Sequence, residues 1–196
     1  MGRMIRRAIL IVLLAFTVAG CTSAAPMRTA RPALWRIADA DTTIYLFGTV
    51  HQLPAGLDWN SGPVARAIAE SLQLVLELPP SAAPEIPRLF QAMALDEPVP
   101  PIAARIGTER AASLPALPGA FPPDRTDSWA LAVLLANRAS DDAGLSAADG
   151  VEMTLMRGFT ARQLPITGLE SPREQLHIFD AMPPEEQDRF LSMSIN

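Results

Sequence analysis

The chain has 196 residues, 49% of them hydrophobic and 19% charged, with a formal net charge of −5 at pH 7. That is the composition of a globular chain, not of a disordered or low-complexity one. The acidic balance, with no Lys/Arg cluster after the first few residues, argues against nucleic acid as a partner.

The N-terminus reads as an export signal. Arg3, Arg6 and Arg7 form a positive segment, and Ala8 to Gly20 is an apolar run of about thirteen residues with only Thr17 polar. That run is shorter than the ~20 residues a membrane-spanning helix needs. Small residues precede the expected cut in Val18-Ala19-Gly20-Cys21, which resembles a lipobox, so Cys21 is read as the lipidated first residue of the mature protein. An ordinary secretory cut near Ala24-Ala25 and an uncleaved membrane helix are the alternatives. Residues 1–20 are thus expected to be a signal peptide, and residues 21–32 a small, Pro-containing tether. Residues 33–196 are expected to be the domain, exported and anchored to the membrane through the lipid on Cys21, on the periplasmic side or at the outer membrane. Cys21 is the only cysteine, so no internal disulfide can form and stability must come from a core.

Along the mature chain, Leu34–Ala38, the turn residues Asp39–Thr42 and Thr43–Gly48 predict a β-hairpin. Gly62–Glu70 predicts a helix with Pro63 in its first turn, and Ser71–Leu78 an apolar strand buried in a sheet. Eleven of the 19 prolines fall between Pro79 and Pro123. That stretch predicts a helical insertion with short helices around 84–95 and 102–113. Helices follow over Asp127–Asn137, with an acidic cap, and over Ala148–Ala161, with Val151, Leu155 and Phe159 on one face. A short strand is predicted over Leu164–Leu169. A helix opens at Ser171-Pro172-Arg173-Glu174 with the marks of a capping box, and a last one opens at Pro183. The expected fold is α/β (α+β): a mixed sheet starting with a β-hairpin and flanked by helices, with a Pro-rich helical insertion.

Only two histidines exist. His51 closes Gly48-Thr49-Val50-His51 after a hydrophobic strand, at the kind of strand end where α/β folds place their sites. Gly48 is expected to allow a turn or a close approach there. His177 falls mid-helix and reads as a surface or satisfied structural residue. Glu77 ends an apolar run, where burial of a lone carboxylate would be costly unless it is paired or binds a cation. Glu170 ends the later strand in the same manner, and Glu152 sits near a helix start where it can answer the dipole. One imidazole with two or three carboxylates suits either a divalent metal site or a general acid–base set. Such acids are also commonly solvated or salt-bridged, and no HExxH motif or nucleophile elbow is present.

These segments carry a resemblance. Pro32–Arg36, Tyr45–Pro54, Gly56–Trp59, Leu74–Leu78, Gly150–Glu152, Ile166–Glu170 and Gln175–Asp180 with Met182-Pro183 look like the TraB/GumN family, across essentially all of the chain from Pro32 onward. The family includes the TIKI proteins, described as metal-dependent proteases of Wnt proteins, and is placed near ChaN-like haem-binding and erythromycin-esterase-like proteins. The resemblance implies a metal-dependent, peptidase-like hydrolase acting on a peptide or small molecule. It implies His51, Glu77, Glu152 and Glu170 as its catalytic set, with His51, Glu77 and Glu170 holding a divalent metal cation. It also implies a second GxxH in a C-terminal half that is absent from this sequence, hence a truncated, incomplete domain whose shared site would lack a histidine and lose activity; a chain that folds poorly is a further alternative. The alternative is a non-catalytic, surface-tethered ligand-binding module of haem type.

Overall fold

The computed structural model of the protein describes residues 28–195, so the signal segment and Cys21 lie outside the described residues. Strand β1 (Arg28–Thr29) pairs in parallel with β5 (Leu57–Asp58). Ala30 continues that pairing through its N–H to the Asp58 carbonyl at 2.8 Å and packs on the core. The folded part therefore begins ahead of Pro32, within the segment read as a tether.

The hairpin forms as predicted, from β2 (Leu34–Ala38) and β3 (Thr43–Phe47) in antiparallel register, Leu34 opposite Phe47 and Ala38 opposite Thr43. Asp39 closes the turn by accepting from the Thr42 N–H at 2.8 Å through its carboxylate, the local bonding that favours Asp in turns. β4 (Leu53–Pro54) pairs with β7 (Leu145–Ser146), and β6 (Leu74–Leu76) runs parallel to β8 (Ile166–Gly168). The α/β class stands. Among the described residues, however, the strands are distributed over four two-stranded pairs instead of one mixed sheet.

One expectation is corrected at β6. The run Ser71–Leu78 supplies only three strand residues, and they are not buried: Val75 is 50% exposed and Leu76 partly buried. The reason is that β6 has a single neighbour, β8, so its other edge and one face stay uncovered among the described residues. Glu77 is accordingly exposed, and desolvation is not what constrains it.

Eight α-helices occur among the described residues. Helix α1 (Gly62–Glu70) has Pro63 in its first turn, as its sequence demands. The Pro-rich stretch carries α2 (Ile86–Met93), α3 (Ile102–Ile106) and α4 (Thr108–Ser113). The single helix expected over 102–113 breaks at Gly107, whose φ of 87° is left-handed backbone that glycine adopts without steric cost. Helix α5 (Ser128–Asp142) is longer than predicted, and α6 (Val151–Ala161) follows a 3₁₀ turn at Ala147–Asp149. Helix α7 (Pro172–Asp180) has a complete Ser171–Glu174 capping box, and α8 (Pro184–Met193) ends the described chain.

Two parts of the core have different characters. Leu53, Trp59, Val64, Val151 and Leu155 bury together where the strands meet α1 and α6. Elsewhere α2, α3, α5 and α8 bury Leu89, Met93, Trp129, Ile106, Leu131 and Leu191 in two adjoining clusters. The predicted apolar face of α6 is the one that is buried, through Val151, Leu155 and Phe159. Its outer edge is pinned by Arg162, which donates to the Ile68, Ala69 and Ser71 carbonyls at the end of α1. No helix among the described residues is long and apolar enough to cross a membrane.

Candidate active site

The site is assembled where the chain leaves β3. The Gly48 N–H still bonds the Ala33 carbonyl at 3.1 Å, extending the hairpin ladder by one residue, and the chain then diverges. Its next anchor is the start of α6, where the Val151 N–H donates to the Val50 carbonyl at 3.1 Å. Gly150 lies directly against the His51 backbone: a Cβ there would overlap the His51 carbonyl oxygen and sit 2.8 Å from its carbon. The close approach expected at Gly48 is therefore found at Gly150. Gly48 itself would accept a methyl group at ordinary contact distances, 3.9 Å from the Ala33 oxygen.

This docking brings together side chains 101 residues apart. His51 contacts Glu152 through Nδ1 and Oε2, and Thr49 donates its hydroxyl hydrogen to the other oxygen, Oε1, at 2.7 Å. Glu152 lies in the first turn of α6, where the positive end of the helix dipole favours a carboxylate. The His51 side chain is 71% exposed and that of Glu152 only 21%. A contact so open to water adds little to stability, so its value lies in orientation.

Glu77 approaches from the other side. β6 and β8 continue their pairing one step beyond the strands, the Glu170 N–H donating to the Glu77 carbonyl at 2.9 Å. Gly168 makes this possible, since a Cβ there would overlap the Pro79 ring and lie 2.9 Å from the Leu78 carbonyl carbon. The Glu77 carboxylate is then held by Gln175 of α7, whose amide donates to Oε2 at 2.8 Å.

His51, Glu77, Glu152 and Gln175 line one pocket of about 210 Å³, together with the apolar Leu78, Ile86 and Met156. Glu170 is not among its lining residues; its backbone braces Glu77 while its own side chain is partly buried. A second depression, of about 260 Å³ around Asp58, Asn60 and Asp149, contains none of the predicted residues. Thr49 and Gln175 were not legible as site residues. Thr49 stands inside the GxxH segment and Gln175 opens another segment of the family resemblance, but nothing in the spacing marks the hydroxyl of the one or the amide of the other. His177 is an exposed residue of α7 beside Asp180, at 3.7 Å, as its mid-helix position suggested.

The donor chemistry of this pocket, one imidazole and carboxylates, fits a divalent cation of the manganese-to-zinc series. The expected ligands His51, Glu77 and Glu170 nevertheless do not close into a compact three-residue group. Among the described residues only Asp96, Asp127 and Asp180 have ligand atoms all within 4.8 Å of one another. That cluster lies among the helices. Asp127 precedes α5 as expected, but its carboxylate caps no backbone N–H. It is buried facing the other two acids, and desolvation first, then Asp96 and Asp180, push its pKa up to about 6 against the pull of Arg105. A carboxyl that holds its proton more tightly when folded contributes stability that is fully present below its ordinary pKa near 3.8 and lost as pH rises to about 6. Asp127→Asn is therefore expected to stabilise the protein at pH 7 by about 1–3 kcal/mol. The gain should vanish below about pH 4, as measured by urea denaturation across that range.

None of the curated proteins and none of the solved structures compared matches the chain. The TraB/PrgY/gumN family model, by contrast, matches residues 33–196, which takes in the hairpin, the GxxH turn, Glu77, the Gly150–Glu152 junction and Glu170. The chain belongs to the TraB/PrgY/gumN family.

Proposed function

We propose that this protein is an exported, lipid-anchored hydrolase that uses a divalent metal cation and acts on peptide bonds. The observation that supports it is the convergence of His51, Glu77 and Glu152 on one pocket from three distant parts of the chain. His51 turns Nδ1 to Glu152 and offers Nε2. Glu77 offers a carboxylate with one oxygen held by Gln175. Glu170, bonded through its backbone to Glu77, is the third member of the proposed ligand set. A cation bound there supplies Lewis acidity and a water of lowered pKa.

The chain's own contribution is positioning and proton handling. Glu77 and His51 stand on separately anchored segments, and the apolar Leu78, Ile86 and Met156 form a less polar wall against which a substrate side chain can lie. A carboxylate or imidazole within reach of the scissile group can take up the proton released by the attacking water and return it to the leaving amine. Export through residues 1–20 and anchoring at Cys21 would place this site on the outer side of the inner membrane, or at the outer membrane.

The test is calorimetric titration of the full chain with Mn²⁺, Co²⁺ and Zn²⁺, followed by hydrolysis of a mixed peptide pool with and without the tightest-binding ion. Wild type is expected to bind one ion and to cleave only when loaded. His51→Ala is expected to lower metal affinity 10–100-fold, the usual cost of disturbing such a site. Equal binding by wild type and His51→Ala, or hydrolysis that ignores a chelator, would overturn the reading.

A further inference from the structure

The family resemblance places Glu152 in the catalytic set, yet each of its oxygens already has a hydrogen-bond partner. Oε1 accepts from the Thr49 hydroxyl at 2.7 Å, and Oε2 is held against His51 Nδ1. An ionised carboxylate is an acceptor only, and the Thr49 hydroxyl already donates to its other oxygen. The hydrogen between Nδ1 and Oε2 therefore belongs to the imidazole. A neutral imidazole carries one N–H, so Nε2 is left with its lone pair exposed.

The backbone enforces the same arrangement. Val151 is tied to Val50, and Gly150 abuts the His51 carbonyl, so the residue that presents Glu152 and the residue that presents His51 cannot drift apart independently. Thr49, two residues before His51, closes the set from the histidine's own segment.

We propose that Thr49 and Glu152 are positioning residues that lock His51 in the Nδ1–H tautomer and so dedicate Nε2 to the cation or to the transferred proton. The chain of contacts runs Thr49 hydroxyl, Glu152 carboxylate, His51 imidazole, in the manner of a carboxylate that orients a metal-bound histidine. Glu152 thereby acts through His51 and stays outside the ligand set. The proposal rests on His51 being the working imidazole of the pocket, as argued above, but its structural content can be read without any activity.

The experiment is a two-bond ¹H–¹⁵N correlation spectrum of the ¹⁵N-labelled full chain, taken well above the ordinary imidazole pKa of ~6.5. With two histidines in the sequence, His177→Gln assigns both. Wild type should show His51 with a protonated Nδ1 and an unprotonated Nε2. Thr49→Val, close in volume but without the hydroxyl, should mix the tautomers, and Thr49→Ser should restore the wild-type pattern. Glu152→Gln, which can donate as well as accept, should release the tautomer even if Thr49→Val fails to fold. Co²⁺ affinity should fall about 10-fold in Thr49→Val and recover in Thr49→Ser. A protonated Nε2 in wild type, or a tautomer untouched by Glu152→Gln, overturns the proposal. Absent Co²⁺ binding with a locked Nδ1–H tautomer would instead overturn the metal reading alone.

Discussion

Replacing Gly150 with alanine is expected to cost about 3 kcal/mol of stability or more. The added Cβ would overlap the His51 carbonyl oxygen and press on its carbon at 2.8 Å and on the Ala147 oxygen at 3.0 Å. All three obstacles are backbone atoms, so no rotamer change relieves them and the two segments must separate. Separation would break the Val151-to-Val50 hydrogen bond and pull Glu152 from His51 and Thr49. Backbone conformation is not the cause, because Gly150 has φ −55° and ψ 152°, which alanine also adopts. For a chain of this size the loss corresponds to a fall in Tm of roughly 10 °C. Gly48→Ala is the control: its methyl group would meet only the Ala33 oxygen and Cβ near 4 Å, so its Tm should move far less. Thermal denaturation of the two variants side by side decides the matter, and equal Tm values would refute the close-approach account.

Gly168→Ala is expected to have the second large effect, about 2–3 kcal/mol, for a related reason on the opposite side of the pocket. There the obstacle is the Pro79 ring with the Leu78 carbonyl carbon at 2.9 Å, and a proline ring cannot swing aside. Displacement of β8 from the end of β6 would loosen the Glu170-to-Glu77 bond and, through α7, the Gln175 amide that holds the Glu77 carboxylate. Urea denaturation measures the stability loss. Metal titration of the folded fraction should show weaker binding without any ligand having been removed. Wild-type stability and affinity in Gly168→Ala would show that β8 can shift without cost.

The elements that could be read directly are those whose signals are local. The hairpin is written in the alternation of β2 and β3 and in an Asp whose carboxylate bonds the backbone three residues on. Helix α1 is announced by Pro63, and α7 by a capping box that the structure completes in both directions. The buried face of α6 follows from the helical spacing of Val151, Leu155 and Phe159. His51, Glu77 and Glu152 could be nominated because each ends a strand or begins a helix, and because family resemblance singled them out.

What failed to show in the sequence depends on neighbours that spacing does not encode. The run Ser71–Leu78 has the apolar character of a buried strand, yet β6 has one partner and Val75 stays half exposed. Asp127 reads as a helix cap, but the packing of α5 against its neighbours turns its carboxylate toward Asp96 and Asp180. Thr49, Gln175 and the two contact glycines acquire their roles from residues about a hundred positions or one element away. Hydrogen bonds within a few residues are fixed by the local chain and can be inferred from residue types in order. The approach of α6 to the GxxH turn, and of β8 to Leu78–Pro79, is set by the burial of Val151, Leu155 and their partners in a shared core. By itself the sequence determined the hairpin, the helix starts and the candidate His51, Glu77 and Glu152. Only tertiary packing decided that these meet at one pocket, that Glu170 braces Glu77 through its backbone, and that Gly150 and Gly168 must be glycine, because those facts exist only once separate segments are pressed into contact.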